Sequence, residues 1–155
     1  MTTRESQAFH RTFQQLGEQL KRDPGYRLFT ISCITPDGTQ AERIFTNMPE
    51  AYPVHGRKPR DQSAWSEKMA RGECFVANRP EDFGEHFFDL STIVALGLGA
   101  VINVPVFDGG RHVGGLNLLD ATGAYTGNVI DACRASLVLA IQGFREYEEF
   151  AKTRS

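Results

Sequence analysis

An α+β fold with a mostly antiparallel sheet follows from three features of the chain. Two pairs of β-type runs are joined by turns too short for a parallel crossover: "RLFTISCIT" to "QAERIFTN" through Pro36-Asp37-Gly38, and "GAVINVPVF" to "RHVGGLNLLD" through Gly109-Gly110. Helical apolar periodicity marks both ends of the sequence. Between the hairpins lie a proline-rich connection, a lone β-type run and short helical segments, an order that suits helices and loops gathered around one sheet.

The first element is a helix, because Phe9, Phe13, Leu16 and Leu20 recur at spacings of four, three and four before the chain breaks at Asp23-Pro24-Gly25. The first hairpin follows, its second arm alternating Glu42, Ile44 and Thr46 with Arg43, Phe45 and Asn47. "MPEAYPVHGRKPRDQ" has three prolines and no apolar period, which predicts a long connection. Ser63 caps and Gly72 ends a short helix, and "ECFVAN" makes a third run of β type. "RPEDFGEHFFDLSTIVALGLG" reads as one or two short helices leading into the second hairpin. From about 126 to 152, Val129, Cys133, Leu137, Val138, Ile141, Phe144 and Tyr147 predict one long closing helix.

The 155 residues suit a single domain over 1–155, large enough to bury about two thirds of its unfolded surface without metal or disulfide staples. A hydrophobic share of 41% with 23% charged residues is ordinary for a globular chain, and a net charge of -2 supplies no field for nucleic acid. No apolar run is long enough to span a bilayer, and "MTTRESQAFHRTFQQL" lacks the apolar centre of a signal peptide, so a cytoplasmic protein is expected. Cys33, Cys74 and Cys133 are odd in number and far apart, which favours reduced thiols over disulfides or zinc. His10, His55, His86 and His112 show no HxH or HExxH spacing; Glu85, His86 and Asp89 fit a solvated edge better than a metal cluster. No cofactor is indicated, and no GxSxG elbow or phosphate loop is present.

One feature of the second hairpin is unusual. Each arm carries an Asn among Val, Ile and Leu, and burying an unpartnered amide costs about 1–3 kcal/mol. A two-residue turn at Gly109-Gly110 pairs Ile102 with Asn117 and puts Asn103 and Asn117 on opposite faces, whereas a three-residue turn puts them together.

Two stretches, "RGECFVANRPED" and "LGLGAVINVPVFDGGRHVGGLNLLDA", resemble the GAF domains, small-molecule sensor modules related to PAS domains. The likeness spans roughly residues 5 to 150, with the sharper motifs in 71 to 120. It implies a GAF/PAS-like antiparallel sheet with the N- and C-terminal helices on one face and a ligand pocket under loops and short helices on the other. The function implied is a small-molecule-binding sensor of the signalling kind that acts through a partner protein. Neither the NKxDE set of cyclic-nucleotide binders nor a bilin-attaching Cys-His pair is present.

Such a pocket gives the candidate residues a place. At least one of Asn103 and Asn117 should face it; the other reading satisfies both amides with loop backbone or water. Tyr52, His55, Arg57 and Lys58 in the proline-framed loop offer an aromatic surface and donors for a carboxylate or phosphate, or else form a solvated basic loop anchored by Tyr52. Trp65 is a pocket wall or the apolar face of its helix, and Phe75, Phe83, Phe87 and Phe88 line a cavity or simply fill core. Two other functions stay open: a redox enzyme resembling free methionine-R-sulfoxide reductase, which needs an exposed activated thiol, and an interaction module with no ligand. Phe144, Tyr147 and Phe150 near the end of the last helix suggest an aromatic surface left for a homodimer through the terminal helices, or a cover for the first helix within one chain.

Overall fold

The computed structural model describes residues 7–60, 63–83 and 89–153. Its centre is a six-stranded antiparallel sheet. The strands are β1 (Leu28–Ile34), β2 (Gln40–Thr46), β3 (Arg57–Pro59), β4 (Phe75–Ala77), β5 (Ala100–Asp108) and β6 (Arg111–Asp120), in spatial order β3-β2-β1-β6-β5-β4. The proline-rich connection thus holds a short strand, β3, that pairs Gln40 with Pro59 at the sheet edge, where a residue without an N–H is tolerated.

Helices α1 (Ala8–Arg22) and α5 (Leu137–Lys152) cover one face. The expected stripe of α1, Phe9, Phe13, Leu16 and Leu20, is buried, each such side chain contributing about 1.5–3 kcal/mol of transfer free energy. Two glycines set the depth of this layer. A Cβ at Gly114 of β6 would lie 2.1 Å from the Ser32 carbonyl oxygen and 2.7 Å from the Phe144 ring, and one at Gly143 would lie 2.3 Å from the Phe13 ring. Phe144 therefore seats on bare β6 backbone, and Phe13 seats on bare α5 backbone.

Of the aromatic residues expected at a subunit interface, Phe144 is buried within the chain, while Tyr147 and Phe150 contact α1 and stay partly exposed. Phe9 packs on Tyr147 and Phe150 with ring centroids 5.1 and 5.0 Å apart, and Phe13 on Phe144 at 5.6 Å. The closing helix is also not continuous. It divides into α4 (Val129–Ala135) and α5 at Ser136, whose hydroxyl donates to the Cys133 carbonyl over 2.6 Å, a local bond that competes with the helical ladder. The apolar stripe changes phase there, leaving Val138 82% exposed although the uninterrupted period placed it in the core.

On the other face, α2 (Ala64–Ala70) and α3 (Leu90–Ala95) join the loop around Tyr52 over a second apolar cluster that includes Leu28, Phe83, Ile93 and Leu119. Ser63 caps α2 through its side-chain oxygen, which accepts the Ser66 N–H, and Gly72 follows the helix at φ +80°, as their positions predict. No helix among the described residues is long and apolar enough to cross a membrane.

Candidate functional site

The two hairpin asparagines lie side by side on the face away from α1 and α5. The turn is the two-residue one, with Asp108 opposite Arg111 and Phe107 opposite His112, but the next pair is Val106 with Gly114. Val113 is an extra residue in β6. This β-bulge moves the register by one, so Asn117 pairs with Asn103 rather than Ile102, and Thr30 of β1 continues the row on the other side.

The row is a directed hydrogen-bond chain. The indole Nε1–H of Trp65, reaching down from α2, donates to Asn103 Oδ1 over 2.9 Å. Asn103 Nδ2 donates to Asn117 Oδ1 over 2.8 Å, and Asn117 Nδ2 to Thr30 Oγ1 over 3.2 Å. Indole N–H is a donor only, so Trp65 fixes which end of the Asn103 amide faces it, and that choice passes along the row. Trp65 is both a wall and the polar key of the floor.

Over this floor is a cavity of about 150 Å³. Its walls come from Ser32 of β1, Arg43 of β2, Lys58 of β3, Trp65 and Met69 of α2, and Tyr52, Asp89 and Ile93 beside α3; His112 closes the end near the Gly109-Gly110 turn. Among the described lining residues there are three cations, Arg43, Lys58 and Arg60, and one carboxylate, Asp89. Asp89 accepts the Tyr52 hydroxyl at 2.5 Å; burial, then this bond and the Asp89 charge, push the Tyr52 phenol up. The Arg43 guanidinium lies 5.0 Å from the centre of the Tyr52 ring and donates to the Pro53 carbonyl over 2.9 Å, and its burial pushes its pKa down. Lys58 Nζ stands 5.4 Å from the centre of the Trp65 ring. Burial and the Arg60 charge hold the His112 imidazole below its ordinary 6.5. Its Nε2 donates to the Gly114 carbonyl over 3.1 Å, which leaves the lone pair on a buried Nδ1.

Of the residues expected at a pocket, Tyr52, Lys58, Trp65, Asn103 and Asn117 line the cavity. His55 and Arg57 do not. Arg57 pairs with Glu42 and Lys58 with Ala41 across the β2–β3 ladder, so neighbours in sequence take opposite faces. Glu42 binds His55 Nδ1 at 3.0 Å and Arg57 Nη2 at 2.7 Å. Phe75 sits opposite Asn103 in β4 and packs with the second apolar cluster instead of the cavity wall, as does Phe83. Phe87 and Phe88, with Glu85 and His86, lie outside the described residues. Arg43 was missed because the alternation of β2 grouped it with Phe45. A bulge at Ile44, between the pairs Ile31–Phe45 and Ser32–Arg43, separates the two and turns Arg43 to the cavity.

The three cysteines are unsuited to nucleophilic work as they stand. Burial pushes the Cys33 and Cys133 thiols up to about 12, and it raises Cys74 as well, with the Arg134 charge pulling the other way. Among the described residues, no group of three or more His, Cys, Asp or Glu is placed to hold a metal ion.

An antiparallel sheet with terminal helices on one face and a roofed cavity on the other defines a pocket-bearing α+β domain. Its particular fold is the GAF fold. The chain superimposes on the GAF domain of a two-component sensor histidine kinase from Bacillus halodurans with a TM-score of 0.73, covering 94% of this chain and 99% of that one at 10% identity. It matches GAF3 from Slr1393 of Synechocystis sp. PCC6803, solved in its photoproduct state, with a TM-score of 0.67 over 96% and 100% of the chains at 14% identity. A GAF domain/HD domain protein from Geobacter sulfurreducens gives 0.62 over 83% and 90% at 12% identity. No protein-family model matches the chain, and no curated protein matches it.

Proposed function

We propose that this chain is a single small-molecule-binding sensory domain of the GAF type, which holds its ligand over the Asn103–Asn117–Thr30 row and signals through a partner protein. The observation that carries this reading is the cavity itself. A polar row is spent on the face of the sheet that α1 and α5 leave uncovered, beneath a roof of short elements, although apolar residues there would pack at lower cost. The fold is shared with domains of a sensor histidine kinase and with a domain that has a photoproduct state, which supports a sensory role. Three reduced thiols suit the cytoplasm.

The test is thermal unfolding against a metabolite library. A ligand present at 100 times its dissociation constant adds about 2.7 kcal/mol of stability, enough to move the midpoint by several degrees. Failure of every compound to stabilise the protein removes the binding reading and favours an interaction module. Turnover of methionine sulfoxide with a thiol reductant favours the enzyme.

A further inference from the structure

We infer that the ligand is a compact organic oxyanion of about six to ten non-hydrogen atoms, its charge among Arg43, Lys58 and Arg60 and its polar edge on the Asn103–Asn117–Thr30 row. This rests on the binding reading above and names the chemistry that the same cavity takes.

Size is the first constraint. A cavity near 150 Å³ holds a molecule on the scale of benzene, with some allowance for the open side. A short mono- or dicarboxylate or a small phosphate monoester fits within it, whereas a nucleotide or a tetrapyrrole would have to extend through its open side.

Charge is the second. The hydrogen bonds of Arg43 and Arg60 run to the backbone carbonyls of Pro53 and Gly38, which are neutral. A guanidinium has five N–H donors in a rigid fork, so one bond to a carbonyl leaves both charge and donors for a planar anion. Arg43 is moreover partly removed from water, which a cation tolerates best beside an anion. The single described carboxylate of the wall, Asp89, accepts the Tyr52 hydroxyl and its charge also acts on Arg43, so the described wall sets three cations against one carboxylate. His112, held below 6.5, adds no charge near neutral pH.

The floor is the third. In a row of amides each Asn uses one N–H and one carbonyl lone pair along the row, and the second N–H of each Nδ2 and the Thr30 hydroxyl proton stay available for a ligand's oxygen atoms. Cations on the wall and donors beneath them are complementary to an oxyanion and to little else of this size.

Trp65, the sole tryptophan, touches both parts of the site and reports occupancy by its fluorescence. The probes are succinate against succinamide, methyl phosphate, and adenosine monophosphate as an oversized anion, followed by Trp65 emission and by thermal unfolding. Binding of succinate or methyl phosphate with no response to succinamide is the expected result, and the better of the two oxyanions identifies the ligand's anionic group. Lys58→Gln on the edge strand should weaken that binding by about tenfold, and Arg43→Gln by more, each judged against the unfolding midpoint of the same variant without ligand. Succinamide binding as well as succinate, or a library hit that is neutral when no oxyanion binds, overturns the oxyanion assignment and leaves the binding reading standing. Adenosine monophosphate binding as tightly as succinate overturns the size limit. Silence from every compound, charged or neutral, is the failure of the binding reading itself.

Discussion

Asn103 and Asn117 meet amide to amide across β5 and β6, 2.8 Å from nitrogen to oxygen, because Val113 is one residue too many in β6. A regular ladder behind the same two-residue turn sends the two side chains to opposite faces, one of them into the layer beneath α1 and α5. The bulge therefore does more than bend the strand; it determines that both amides go to the same side and that Trp65 has an acceptor to reach. With Asn103 only 3% exposed, these bonds are made largely away from water, where a missing partner is costly.

That cost can be measured. Asn117→Ala strips Asn103 Nδ2 of its acceptor and Thr30 of a donor, and should lower stability by about 1–3 kcal/mol in urea unfolding. Asn103→Ala should cost a similar amount, and the double variant clearly less than the sum, since the second change removes a group already left unpaired. Strict additivity would show that the amides do not act as one row.

The α1–α5 layer makes a different prediction about Tyr147. Its ring stands against Phe9 within the chain, so Tyr147→Glu places a carboxylate against apolar rings and should destabilise the fold by about 2 kcal/mol or more, independently of protein concentration. If the variant instead keeps its unfolding midpoint and only changes sedimentation mass, Tyr147 belongs to an interface between copies.

How far these features were legible in the sequence depends on what each one rests on. Helix α1, both hairpins and the Ser63 and Gly72 caps follow from local periodicity and turn chemistry, and they stand where the residues place them. The site does not have that property. Two single-residue insertions, Val113 in β6 and Ile44 in β2, decide that Asn103, Asn117 and Arg43 share the cavity, and a bulge leaves no mark in an apolar alternation. Arg57 and Lys58 look equivalent as neighbours in a basic loop. Only the pairing of β3 with β2, which a three-residue strand barely announces, sends one to Glu42 and the other to the cavity. Arg60, Asp89 and His112 come from segments far apart in the chain, and no spacing rule connects them.

The thiols give a chemical test of the redox alternative. With Cys33 and Cys133 pushed up to about 12 and Cys74 also raised by burial, the folded protein should react slowly with iodoacetamide at neutral pH, and all three cysteines should label only on unfolding. Rapid alkylation of a single cysteine in the native state, with loss of a measured turnover, would favour the reductase alternative over the binding reading.

Glu42 should make part of the protein's stability dependent on pH in the acid range. It is 9% exposed, and burial is the largest influence on its carboxyl, acting upward; the hydrogen bonds and charges of His55 and Arg57 together outweigh it and hold the group below the ordinary 4.5. A carboxyl whose pKa is lower folded than unfolded binds protons more readily in the unfolded chain. Its stabilisation is therefore complete above about pH 4.5 and is lost as the pH falls through the lower, folded value. Glu42→Gln keeps the shape and an acceptor for Arg57 but removes the charge. Its deficit relative to the unaltered protein should be about 1 kcal/mol near neutral pH, the scale for a pair whose cations are half exposed, and should shrink toward zero in acid. Urea unfolding of both proteins across the pH range reads this directly. A gap that stays constant or widens as the pH drops would mean that Glu42 acts through packing, and that the edge of the sheet at β3 is held by its backbone ladder without help from the Glu42–Arg57 pair.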